Sequence, residues 1–60
     1  MGAKTILLVE DDGLIALAEI SLLKSFGYDV LHAFTGEKAI SLVRSGNTTI
    51  DLILMDINLG

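Results

Sequence analysis

Three acids stand in a row at Glu10, Asp11 and Asp12, and a fourth, Asp56, closes the apolar run Leu52-Ile53-Leu54-Met55. Carboxylates brought together repel, so they either take up protons or gather round a cation. No Lys or Arg sits close to them in sequence to neutralise them. A donor set of oxygens alone suits a hard cation: Mg²⁺ fits few carboxylates with several retained waters, whereas Ca²⁺ usually wants more ligands. The chain has no Cys and a single histidine, His32, which excludes disulfides, thiolate zinc and a histidine-rich site. Acids at a helix start and an Asp after a strand also have plain structural uses as caps and turns. Only their joint placement would make them a metal site, and that depends on the elements carrying them.

Thr5-Ile6-Leu7-Leu8-Val9 is β-prone and apolar without alternation, as expected for a strand buried on both faces of a parallel sheet. It ends near Val9 or Glu10. From Gly13 to Phe26 the pattern is helical, with Ile15, Ala18, Leu22 and Phe26 read as the inward stripe. Asp12 is a candidate N-cap, Gly27 takes the place of a C-terminal glycine, and Lys24 lies in the last turn. Tyr28 to Ala33 is a more polar strand, suited to an edge. Thr35 caps a second helix with Ala39, Ile40 and Val43 inward, ended by Gly46; Asn47-Thr48-Thr49 is a loop, and Ile50 to Met55 the third strand.

Strand, helix, strand, helix, strand with short connections is an α/β parallel sheet. The orders 3-2-1 and 2-1-3 compete. The two most apolar strands are the first and third, which favours the flavodoxin-like order 2-1-3, with those strands adjacent and the polar second strand at an edge. Right-handed crossovers then put the two helices on opposite faces. Glu10 and Asp11 would end one strand and Asp56 its neighbour, so the carboxylates would share one crevice at the topological switch point. A dinucleotide site is rejected: it needs a glycine-rich turn after the first strand, and Glu10-Asp11-Asp12-Gly13 would repel phosphate.

Composition bounds the remaining possibilities. Of the 60 residues 52% are hydrophobic and 20% charged, which excludes a disordered chain. The net charge of −4 disfavours electrostatic binding to nucleic acid. No apolar run reaches membrane-spanning length; the longest, Gly13 to Ala18, is broken by Glu19. A secretory leader pattern is absent and a cytoplasmic location is expected.

Ile6-Leu7-Leu8-Val9-Glu10-Asp11-Asp12 and Asp51-Leu52-Ile53-Leu54-Met55-Asp56-Ile57-Asn58-Leu59 resemble the first and third strands of a two-component response-regulator receiver domain. Phe26-Gly27-Tyr28-Asp29-Val30 and Thr35-Gly36-Glu37-Lys38-Ala39 resemble the approaches to that family's second strand and second helix, so the likeness runs from Lys4 to Gly60. The resemblance implies that Asp56 is the phospho-acceptor, taking a phosphoryl group from a phosphohistidine on a sensor histidine kinase or phosphotransfer protein. It implies that Asp11 ligates Mg²⁺ directly, Glu10 through water, and Asn58 through its backbone carbonyl, and that phosphorylation switches an output domain or effector. A homodimer is a further partner option.

Gly60 stands where the family often has proline. The family's domain has five strands and this chain three, so its Ser/Thr, its phosphoryl-pairing Lys and its aromatic switch residue would lie beyond Gly60. Residues 4–60 therefore read as the N-terminal part of a receiver domain, expected to be unstable, aggregating or swapped when isolated. Two rivals remain: a Mg²⁺-dependent phosphohydrolase with an Asp nucleophile, which in the haloacid-dehalogenase pattern needs a second Asp where Asn58 stands, and a degenerate receiver that only binds proteins. His32 reads as an edge residue away from the acidic rim, Tyr28 and Met55 as packing, Asp51 as solvent-facing, and Lys38 and Arg44 as a solvated helix face.

Overall fold

The computed structural model describes residues 2–56. Strand β1 (Thr5–Val9) is followed by helix α1 (Gly13–Ser25), strand β2 (Asp29–Ala33), helix α2 (Gly36–Ser45) and strand β3 (Leu52–Met55). The sheet is parallel in the order β2-β1-β3, as the apolar content of the strands requires. β1 is wholly buried, and β2 is the expected edge.

Side chains alternate between the faces of a strand, so the register assigns each residue a layer. Leu7 pairs with Leu31 and Ile53, and Val9 with Ala33 and Met55. Leu7, Val9 and Ala33 form the core with Ala39 of α2, joined by half-buried Leu31, Leu42 and Ile50. The residues of opposite parity, Ile6, Leu8 and Glu10, turn to the other face, where α1 packs on β2. The helices thus lie on opposite faces.

Both helix starts form as the side chains direct. Asp12 accepts hydrogen bonds from the amides of Leu14 (2.9 Å) and Ile15 (3.2 Å), and Thr35 Oγ1 from the amide of Lys38 (3.1 Å). At the end of α1 the amides of Gly27 and Tyr28 donate to the carbonyls of Lys24 and Leu23, with Gly27 at φ +93°. That pair of bonds is the Schellman arrangement, which glycine adopts without steric cost.

The inward faces of the helices differ from the periodicity reading. In α1, Ala16 is buried and Glu19, Ile20 and Leu23 are half-buried, whereas Ile15, Ala18, Leu22 and Phe26 are exposed. α1 is apolar almost all round, with Leu14 80% exposed, so spacing alone does not fix its phase. In α2, Ala39 faces inward, but Leu42 takes the place assigned to Ile40 and Val43. Met55, expected to pack, is exposed because neither helix packs over β3, and Tyr28, just before the edge strand β2, is exposed as well.

Candidate functional site

β1 delivers Glu10 and β3 delivers Asp56 to the same rim. The Glu10 amide donates to the Ala33 carbonyl at 3.0 Å, and the Asp56 amide to the Val9 carbonyl at 2.8 Å, so the strand ends are bonded side by side. Glu10 follows Val9 and Asp56 follows Met55, the partner of Val9, so both carboxylates share the parity that faces α1. No β-segment separates them.

A third carboxylate meets them there. Oxygens of Glu10, Glu19 and Asp56 lie within 4.8 Å of one another. Glu19 sits on the inward face of α1, one turn beyond buried Ala16. α1 begins at the rim, and helical side chains tilt towards the helix N-terminus, so Glu19 leans back towards the strand ends. The sequence displays this residue only as the break in an apolar run. An acid on the same helical face as Ala16, Ile20 and Leu23 was the signal, obscured by the wrong phase.

The chemistry of the three acids is uneven. Glu10 is 2% exposed, and its Oε1 accepts a 3.0 Å hydrogen bond from the Asp12 amide. That bond pulls its pKa down, but burial, the Asp11 carboxyl and the neighbouring Asp56 together leave it raised. Glu19 is pushed up to about 7, first by contact with the Asp56 carboxyl, then by burial and by the charges of Asp56 and Glu10. Ionised carboxylates can only accept hydrogen bonds, so the contacts of Glu19 with Asp56 and Glu10 require a shared proton; Glu19 Oε1 itself is buried without a partner among the described residues. No Lys or Arg is among the groups that shift either acid.

Asp11 is exposed, with its carboxyl beside that of Glu10. Asp12 is occupied as the helix cap. Asn58 lies outside the described residues. His32 is nearer the rim than its strand position implied: its Nε2 is 2.8 Å from the Glu10 carbonyl, and its ring meets Phe34 edge to face. Asp51 is exposed yet bonded, its Oδ2 accepting from the Thr5 amide at 2.8 Å while its own amide donates to the Thr5 carbonyl at 2.9 Å.

The residues fit a hard divalent cation. Oxygens on opposite sides of such an ion are about 4–5 Å apart, given metal–oxygen distances of roughly 2.0–2.6 Å, and this cluster spans a similar space. The orphaned Glu19 oxygen needs a positive partner or a proton, and the donors are all oxygens.

No family model matches the chain, and no solved structure matches it. The chain is 30% identical over 56 residues to the sensor kinase CckA of Brucella abortus (strain 2308). The match takes in 93% of this chain and 6% of that protein, so the chain corresponds to a small part of its relative's length.

Proposed function

We propose that the chain is the N-terminal part of a phospho-accepting receiver domain, with Asp56 as acceptor. The observation that carries this is the placement of the Asp56 carboxylate beside buried Glu10 at the ends of two bonded strands. The similarity to a sensor kinase supports the same setting, with a sensor histidine kinase or phosphotransfer protein as donor in the cytoplasm and an output domain or effector as recipient.

An Asp56 carboxylate oxygen attacks the phosphorus of the donor's phosphohistidine in line. A phosphorus–oxygen bond forms as the phosphorus–nitrogen bond breaks. The departing imidazole nitrogen keeps the electron pair, and the product on Asp56 is an acyl phosphate. A carboxylate is a weak nucleophile. Mg²⁺ held by Glu10, Asp11, Asp56 and the Asn58 carbonyl would offset charge on the transferring group. Glu10 and Asp56 orient the approach, and the strand ends fix their separation. Reversal to the free acid takes water attacking the same phosphorus, with release of inorganic phosphate and return of the carboxylate, a turnover that would be self-catalysed in the complete domain. The added charge then perturbs a rim already crowded with acids.

Treatment of the full-length protein with acetyl phosphate and Mg²⁺ should add one phosphoryl group, mapped to Asp56 by peptide mass spectrometry. Asp56→Asn should take up none. A wild-type protein that gains no mass and binds no beryllofluoride would exclude this function.

A further inference from the structure

We propose that His32 is a positioning residue for the acidic rim: its Nε2–H fixes the Glu10–Asp11 peptide and with it the aim of the two acids that peptide joins. This rests on the reading of the rim as a divalent-cation site and deepens it by naming the side chain of β2 that holds the site in shape.

The main-chain bonding between β1 and β2 gives out where the site begins. Beyond the strands, the Glu10 amide still donates to the Ala33 carbonyl at 3.0 Å, but among the described residues no backbone amide reaches the Glu10 carbonyl. His32 takes that acceptor instead, its Nε2 2.8 Å away although 22 residues distant in sequence. A carbonyl only accepts hydrogen bonds, so Nε2 carries the proton. Glu10 is thus tied to β2 through both its amide and its carbonyl, while its Oε1 accepts from the Asp12 amide.

The register supplies the reach. His32 pairs with Leu8, so its ring lies on the face that Glu10 shares. The ring is itself held: it is half-buried and meets Phe34 edge to face, with centroids 4.3 Å apart. A peptide unit is planar, so fixing the Glu10 carbonyl also fixes the Asp11 amide and the direction in which the chain carries the Asp11 side chain. Crowded carboxylates push one another apart. A peptide left free at this point would let Glu10 and Asp11 swing away from each other, and a cation would have to restore the arrangement on binding. A ring that merely filled the β2 edge would need no donor.

The test is Mg²⁺ affinity of the full-length protein, read by calorimetry without any phosphodonor. His32→Phe keeps a ring against Phe34 and removes the donor. His32→Gln places an amide N–H at a reach like that of Nε2. Leu31→Ala weakens the same strand from its other face, where Leu31 packs on the core. Partners that orient metal ligands are typically worth 10–100-fold in affinity, so His32→Phe should weaken Mg²⁺ about tenfold or more. His32→Gln should recover most of that loss, and Leu31→Ala should bind as wild type although its urea midpoint falls. His32→Leu takes the place of His32→Phe if the latter loses its far-ultraviolet circular dichroism. Wild-type affinity without the donor, a loss that His32→Gln does not recover, or an equal loss in Leu31→Ala would overturn the proposal and leave the cation site intact. A wild-type protein that binds no Mg²⁺ would instead remove the reading of the rim, and the proposal with it.

Discussion

Glu10 and Glu19 hold protons more tightly in the folded chain than free carboxylates do. Between the ordinary value of 4.5 and about 7, the folded state binds the Glu19 proton and the unfolded state does not. Stability must therefore fall as pH rises through that window. In chelator, the urea midpoint of the protein should decline from pH 4.5 to pH 7.5. Glu19→Gln, which has nothing to titrate there, should flatten the decline, and saturating Mg²⁺ should reduce it by binding the ionised form. A midpoint that rises across the window would contradict the carboxylate cluster. The same residue marks the limit of sequence reading. Glu10 and Asp56 were legible because each closes an apolar run. Glu19 was not, because its meaning depends on which side of an all-round apolar helix faces the sheet. Asp51 was missed for a related reason: its bond to Thr5 crosses 46 residues and exists only once the strands are aligned.

At the scale of elements, the strand order was legible and the helix phase was not. Ile6-Leu7-Leu8-Val9 is an uninterrupted apolar run, and set between a polar β2 and an apolar β3 it is buried on both sides in the middle of the sheet. Caps were equally legible, since Asp12, Thr35, Gly27 and Gly46 act through their own backbone neighbourhoods. The face of α1 is a tertiary choice. Leu14 and Leu17 are as apolar as Ile20 and Leu23, and only contact with β2 decides between them. The α1 terminus gives a direct test. A side chain at the left-handed φ of Gly27 costs about 1–2 kcal/mol. Gly27→Ala should lower unfolding free energy by about that amount, measured in urea, and leave Mg²⁺ affinity unchanged because the rim is at the opposite end of the helix.

At the scale of the whole molecule, α1 packs on β2, and α2 on β2 and β1, while every residue of β3 is exposed. Ile53 and Met55 line an open apolar groove with Ile40 and Val43 of α2. Among the described residues nothing pairs with the outer edge of β3. An uncovered apolar strand edge is a template for association. Residues 1–60 expressed alone should therefore self-associate in a concentration-dependent way, seen by sedimentation velocity. Ile53→Lys, which charges the groove, should shift the population towards monomer; an unaltered sedimentation profile would argue that this surface is not the contact.

The pair of hydrogen bonds between Thr5 and Asp51 has a consequence at the far end of the sheet. It fastens the lower ends of β1 and β3, just as the Asp56 amide fastens their upper ends to Val9. Sliding β3 by a single residue would break both fastenings and invert its alternation. Asp56 would then turn away from Glu10 towards the mostly apolar cleft beneath α2. A side chain at the foot of the sheet is in this way a guard on the aim of Asp56 at its crown.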